Sequence, residues 1–571
     1  MPYDSSNIAE TAFTIAGRLR SVSDQTGLYA LTYLARTAQK RGITENVDKA
    51  IKAAAQGDRD IAICIESAYD RSSLSFADIN AALANLDGSA LDAYLGHGPV
   101  AQNVFAGASV TPNGVARLAL SILDIQPGER VIDYGCGQGN FLEAAARQCQ
   151  DADFVGVEVN PDTLAAAKIR SKVRGSHIEY ALIDMFSYYE ENIADNPVDK
   201  AFSNYPWGMQ TTMLDGPSAY IKKVLKGQER YRRPSSSDWV FNRLLVGSLK
   251  EGGTAVAIMS NGACFNGTDK SVREYFVKNG FIKAVVALPK GVFAPYTMIQ
   301  TSLVVLCAGG AEGVRFVDAT DLGTTDRRSC SIDDAAVETI LGRLGEDSEK
   351  SAFKALEAIA ARNFDLSARR YLEKEIVVPN GVALGSVAKI TRGASIRAAE
   401  LDALVCNEDT GLSYLNLKNI SDGYIDDELP NLSVLDPKLE KHCIHNGDVL
   451  ISKNGAPFKV AVAEIPEGRK VLANGNLYVL SVDSGKINPY YLAAFLSGPS
   501  GKELLAREAV GTAIPNIPVR ALSEIKVPLE DADRQKAVAD AYLAKTDEIK
   551  VLKLQLSRAR QEIADLFDEE G

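Results

Sequence analysis

The chain has 571 residues, 62 Lys and Arg against 74 Asp and Glu, a net charge of −12 and 46% hydrophobic residues. This length predicts about three or four domains with cores of their own, and the composition excludes a disordered or fibrous chain. No apolar run approaches the ~18 residues of a membrane span, the start MPYDSSNIAE does not read as a signal peptide, and the acidic balance by itself argues against a nucleic-acid partner.

Residues 1–95 carry helical periodicity, with Ile8, Ala12, Ile15 and Leu19 and then Leu28, Leu31, Leu34 and Ala35 at three- and four-residue steps. Ser75 is an expected N-cap, and Gly88 is expected to end the helix that follows it. Over 96–330 short apolar runs alternate with amphipathic stretches. RVIDYG, DFVGVEV, IEYALID, DKAFSNY, TAVAIMS, IKAVVALP and TSLVVLC read as strands, and NFLEAAARQC, PDTLAAAKIRSKV and SDWVFNRLLVGSLK as helices. This alternation predicts a largely parallel sheet covered on both faces. Residues 331–375 read as a helical connector. Over 376–530 short strands separated by Gly, Asn and Asp turns predict an antiparallel β domain. Residues 531–571 read as one long helix, whose Ile549, Leu552, Leu556, Ala559, Ile563 and Leu566 form a short heptad seam.

Eight cysteines without a C-x-x-C pair and only four histidines predict packed, reduced thiols of a cytoplasmic protein and no metal centre. Gly498-Pro499-Ser500-Gly501-Lys502 lacks the first glycine and the hydroxyl residue of a phosphate loop, so no nucleotide hydrolysis is implied.

The chemistry concentrates in 96–330. Val131 to Gly139, VIDYGCGQG, is a strand running into a glycine-rich turn, where Gly135 and Gly137 let a ligand approach the backbone and the next helix offers unpaired N–H groups. Glu158, 19 residues after Gly139, ends the next strand, where a carboxylate accepts hydrogen bonds from ribose hydroxyls. With Asp133 before the first glycine, the set favours S-adenosylmethionine over a dinucleotide; a plain tight turn of an α/β fold is the alternative.

Ser203-Asn204-Tyr205-Pro206-Trp207-Gly208, ending the fourth expected strand, resembles the catalytic segment of DNA amino-methyltransferases, whose tetrapeptide is Asn/Asp/Ser-Pro-Pro-aromatic. An exocyclic amine is a weak nucleophile because its lone pair is delocalised into the base. The resemblance implies that the Asn204 side-chain oxygen and the Tyr205 carbonyl accept its two hydrogens, and that Trp207 stacks on a base rotated out of the duplex. The departure is Tyr205, which stands where the family has its first proline. Phe105-Ala106-Gly107 through Thr111-Pro112 resembles the cofactor motif that precedes the glycine turn in the gamma-order, adenine-specific enzymes. Ile183-Asp184-Met185-Phe186 resembles the motif whose Asp bonds the cofactor's adenine, with Phe186 beside it. Leu249-Lys250-Glu251-Gly252-Gly253 and Ala287-Leu288-Pro289 with Gly291-Val292-Phe293 resemble modification (M) subunits of type I restriction-modification systems.

The second half resembles half of a type I specificity (S) subunit, one target-recognition domain followed by one helix, on Leu384 to Ala388, Asn446 to Ser452, Gly511 to Ile517 and Ile525 to Pro528. A single copy implies that two chains pair through their terminal helices and read two inverted half-sites on double-stranded DNA. Lys222, Lys223, Arg232 and Arg233 in the basic, tyrosine-bearing stretch after the catalytic segment, with Lys389, Arg392 and Lys453, are the candidate DNA contacts; a solvated face is the alternative.

The expected fold is multidomain α/β: a helical N-terminal domain, a Rossmann-like S-adenosylmethionine-dependent methyltransferase, a β-rich target-recognition domain and a C-terminal coiled-coil helix. The expected function is site-specific methylation of adenine N6 in bacterial or archaeal DNA, at the nucleoid, with a separate restriction subunit as a further partner. A catalytically silent specificity module and a cytosine-N4 methyltransferase remain the alternatives.

Overall fold

The computed structural model describes residues 5–22, 24–99, 111–209, 236–326, 329–372, 376–455, 457–509 and 516–565. They form two compact units, Met1–Glu373 and Lys374–Gly571.

The first unit is built on a nine-stranded sheet. Its strands are β1 (Arg130–Tyr134), β2 (Asp153–Glu158), β3 (Glu179–Leu182), β4 (Val198–Ser203), β5 (Leu249–Ser260), β6 (Ile282–Ala287), β7 (Thr301–Cys307), β8 (Gly313–Asp318) and, after a small β9 (Thr324–Asp326) and β10 (Ser329–Ser331) hairpin, β11 (Ser351–Ala355). The order across the sheet is β11-β8-β6-β7-β5-β4-β1-β2-β3. All seven expected strands are present. β1 pairs in parallel with both β2 and β4, whereas β7 runs antiparallel to β5 and β6. The strands read as continuous apolar runs because both faces are covered: Ile132 and Tyr134 feed the core on one face, Val131 and Phe202 that on the other.

The 331–375 segment differs from the helical connector expected of it. After one helix, Asp334–Gly345, it returns as β11 along the edge of the sheet, antiparallel to β8, and its Ile359, Phe364, Leu366 and Tyr371 complete the core. A short edge strand with alternate exposed residues carries too few apolar positions to stand out.

Among the described residues up to His97 the chain forms six helices: α1 (Ser5–Arg18), α2 (Gln25–Arg41), α3 (Val47–Ala55), α4 (Arg59–Ser72), α5 (Phe76–Leu83) and α6 (Gly88–His97). Ser75 caps α5 in a reciprocal capping box with Asp78, as expected, but α5 ends at Leu83, and Gly88 opens α6 behind the N-cap Asp87. These helices share a core with the sheet-bearing part of the unit. After α7 (Asn113–Leu123) and α8 (Asn140–Gln148), α9 (Pro161–Arg174) turns Ala165, Ala166 and Ile169 into the cluster of the N-terminal helices, and Lys168 reaches Asp60 at 2.5 Å. The small Ala side chains let the helices approach closely, so residues 1–95 are built onto the sheet through α9.

The second unit holds a four-stranded antiparallel sheet, ordered Ala388–Arg392, Leu477–Val482, Val449–Ser452, Val460–Val462. A five-stranded sheet stands beside it, and in this one Leu412–Leu415 runs parallel to Lys470–Ala473, a departure from the wholly antiparallel expectation. The helix Ala532–Asp565 is continuous. It packs on its own unit through Ala539 and the Lys553–Asp422 ion pair, while Leu552, Leu556 and Ile563 are exposed. Leu566 lies outside the described residues.

Among the described residues no helix is long and apolar enough to cross a membrane, and no cluster of metal-ligating side chains occurs.

Candidate active site

The strand order reverses at β1, whose neighbours β2 and β4 lead to opposite sides, and a crevice at the carboxyl ends of such strands is where α/β sheets take ligands. Two segments identified from sequence meet there. Ser203, the last residue of β4, donates from Oγ to the Tyr134 carbonyl at the end of β1 at 2.6 Å, locking the catalytic segment against the glycine turn.

In that turn Gly135 and Cys136 donate to the Val157 carbonyl of β2 at 2.8 and 3.0 Å. Gly137 has φ +56°, and a Cβ there would meet nothing within 4 Å, so its backbone borders open space. The Glu158 carboxylate accepts from Gly137 N at 3.0 Å and from the Val159 and Asn160 N–H groups at 2.9 Å each. Asp133 is 2% exposed, and burial, followed by the Glu158 charge, pushes its carboxyl well above the ordinary range. Its Oδ1 is buried without a hydrogen-bond partner among the described residues. Asp184 is exposed and caps the short helix α10 (Met185–Tyr188), accepting at Oδ1 from Phe186 N at 3.0 Å and Ser187 N at 3.2 Å. Phe186 does not face the crevice: it is 3% exposed, stacked on Phe241 with centroids 5.8 Å apart. A residue the sequence reading missed is Val159, 69% exposed directly after Glu158. The Val159 side chain beside the Glu158 carboxylate is open to a ligand held there.

An orphaned buried carboxyl oxygen, an open glycine backbone, a carboxylate at the end of β2 and an uncovered valine fit S-adenosylmethionine. Asp133, Gly135, Gly137, Glu158, Val159 and Asp184 are the residues that would hold it.

Asn204 begins the loop after β4. Its Nδ2 donates to Thr111 Oγ1 at 3.1 Å. Thr111 is buried and also accepts, through its carbonyl, from Asn140 Nδ2 at 3.4 Å. Tyr205 is fully buried in the core, stacked on Phe241 at 4.8 Å, and its hydroxyl donates to Asn242 Oδ1 at 2.8 Å. Pro206 is exposed. Trp207 donates from Nε1 to the Ile258 carbonyl of β5 at 3.1 Å and meets Phe293 at 81° with centroids 4.7 Å apart, so its plane is set from both sides. Asp238, fully buried, accepts from Gly208 N at 3.0 Å at one oxygen and from Ser260 Oγ at 2.7 Å at the other, clamping the loop to the end of β5. Asp238 and Asn242 were invisible in sequence, because their partners lie 30 and 37 residues away.

Of the DNA candidates, Lys222, Lys223, Arg232 and Arg233 lie outside the described residues, as does Phe105-Ala106-Gly107. In the second unit Lys389 and Arg392 are both exposed on one strand, but three residues apart they point to opposite faces of the sheet. Arg392, opposite Tyr478, shares one end of that sheet with Lys453, whose N–H bonds Asn476 O at 2.7 Å. The expected basic group is therefore split.

Residues 95–377 match the N-6 DNA Methylase family. The type I restriction enzyme MjaVII methylase subunit of Methanocaldococcus jannaschii is 28% identical over 202 residues, 32% of this chain and 33% of that protein. The type I restriction enzyme EcoEI methylase subunit of Escherichia coli is 24% identical over 305 residues, 48% of this chain and 59% of that protein. The chain thus spans between a third and about three-fifths of these relatives' lengths. The crystal structure of the type I restriction-modification system methyltransferase subunit from Streptococcus thermophilus has the same fold, with TM-score 0.52 at 19% identity over 64% of this chain and 99% of that one.

Proposed function

We propose that the chain is a site-specific DNA methyltransferase that moves a methyl group from S-adenosylmethionine to adenine N6 of double-stranded DNA, as the modification component of a restriction-modification or phage-defence system. The observation that carries this is Asn204, held by Thr111 at the carboxyl end of β4 beside the glycine turn of β1. Its carboxamide oxygen and the Tyr205 carbonyl accept the hydrogens of the exocyclic amine, concentrating the nitrogen lone pair for attack; positioning supplies most of the rate. Bound S-adenosylmethionine supplies an electrophilic methyl on a sulfonium, and transfer leaves a thioether and one proton. Trp207 stacks on the base once it has left the duplex.

The second unit supplies the target recognition within the same chain. Arg392 and Lys453 lie on phosphates, and Lys389 belongs to the other face. Two chains pair through the exposed Leu552, Leu556 and Ile563 of the terminal helix, so that two recognition domains read an inverted repeat. A separate restriction subunit acts on the same sites, and the protein works at the bacterial or archaeal nucleoid.

Incubating purified protein with tritiated S-adenosylmethionine and mixed-sequence DNA tests the assignment. Label is expected on adenine N6; label on cytosine N4 overturns the choice of base, and no label on any DNA overturns the activity.

A further inference from the structure

The N-terminal helices carry no motif, yet hydrogen bonds connect them to the reacting side chain. At the end of α6 the Gly96 carbonyl accepts from Arg170 Nε at 3.1 Å and from Arg174 Nε. The Arg170 side chain then turns into the site: Nη1 donates to the Gln138 carbonyl of the glycine turn at 3.3 Å and to Asn140 Oδ1. Asn140, the first residue of α8, donates from Nδ2 to the Thr111 carbonyl at 3.4 Å, and Thr111 Oγ1 accepts from Asn204 Nδ2 at 3.1 Å. Burial, followed by the neighbouring Arg174 charge, pulls the Arg170 guanidinium down to about 10, so it stays cationic at neutral pH.

Resting on the methyltransferase reading, we propose that Arg170 is a positioning residue: through Asn140 and Thr111 it sets the orientation of the Asn204 carboxamide, and the N-terminal helices thereby set the rate of methyl transfer. A buried guanidinium contributes little net stability over a packed apolar side chain of similar volume, so what it adds here is geometric. Its planar fork spans Gly96, Gln138 and Asn140 at once; a lysine ammonium, a point charge on a flexible stem, does not bridge all three. Asn140 acts in the same way, its oxygen facing Arg170 and its nitrogen facing Thr111, so that a shift of the guanidinium moves the hydroxyl on which Asn204 rests.

The test is a double-substitution cycle on the full chain, Arg170→Met, Asn140→Leu and the two combined. For each variant, kcat on DNA, binding of S-adenosylhomocysteine by calorimetry and melting temperature are measured. Each single substitution is expected to lower kcat roughly 10- to 100-fold, the cost of a reacting group about 1 Å out of place. S-adenosylhomocysteine affinity should change much less than kcat. The double variant should fall no further than the worse single, because both substitutions cut one chain. Multiplying kcat losses, or losses that track melting temperature alone, overturn the proposal. Should Arg170→Met not fold, Arg170→Lys replaces it, and Asn140→Leu with unchanged kcat is by itself sufficient to overturn it. A wild-type protein without methyl transfer to any DNA overturns both this inference and the activity on which it rests.

Discussion

The Tyr205 hydroxyl donates to the Asn242 carboxamide oxygen at 2.8 Å, in the core of the first unit. This bond explains how a tyrosine stands where the related tetrapeptides have proline. A main-chain carbonyl does not depend on the side chain, and the stiffness that a pyrrolidine ring would confer comes instead from a buried aromatic anchor stacked on Phe241.

Tyr205→Phe is therefore expected to destabilise the protein by about 1–2 kcal/mol, since Asn242 Oδ1 is left buried without its donor. Tyr205→Pro removes the ring as well and should cost about 3–5 kcal/mol. Denaturant unfolding measures both. A gain of methyl transfer in Tyr205→Pro would contradict the anchoring role.

Asp238 holds Gly208 N and Ser260 Oγ with its two oxygens. Asp238→Ala leaves those donors without their acceptor and is expected to cost about 1–3 kcal/mol, with kcat falling further than the affinity for DNA. Steady-state kinetics on the folded fraction, together with a binding titration, would separate the two effects.

Asp133 gives the protein a pH dependence whose sign is set by its burial. Its folded-state pKa lies well above the ordinary carboxylate value, first through burial and then through the Glu158 charge. The native state thus holds a proton that the unfolded chain releases, and stability falls as pH rises from the ordinary carboxylate range through the folded-state value. Asp133→Asn, which needs no proton, should melt higher than wild type at neutral pH, with the difference vanishing in acid. The same variant should bind S-adenosylhomocysteine more weakly. Melting curves across pH and a calorimetric titration test the two halves separately.

The exposed Leu552, Leu556 and Ile563 carry the pairing prediction. Leu552→Glu with Leu556→Glu should shift the mass by light scattering from two chains to one without changing the melting of the second unit, whose contacts with the helix lie around Ala539 and Lys553. One-chain mass in the unsubstituted protein would rule out this dimer. Arg392→Gln or Lys453→Gln should each weaken DNA binding across all sequences and lower the slope of log affinity against log salt by ~0.9 per lost phosphate contact.

How far this architecture could be read from sequence follows from how local each signal is. β1, β2 and β4 announced themselves because strands buried on both faces are continuous apolar runs, and Glu158 because its spacing from the glycine turn reflects one helix between two parallel strands. Thr111 and Asn204, 93 residues apart, were each recognisable by motif, but that they touch was not. Ser351–Ala355 was hidden as an edge strand with alternate exposed residues, and the inward turn of Tyr205 depends on Phe241 and Asn242, which no local pattern joins to it. Lys389 and Arg392 looked like one patch in a linear string, whereas strand geometry sends residues three apart to opposite faces.

We propose that Asn204, held against the glycine turn, polarises the amine of adenine for methylation. Nucleoside mass spectrometry of DNA from cells expressing the wild-type protein or Asn204→Ala, with both proteins at equal levels, measures it directly. N6-methyl-2′-deoxyadenosine is expected with the wild-type protein, and a loss of at least about 100-fold with Asn204→Ala. Equal methylation by the two proteins, or none by the wild type, would contradict it.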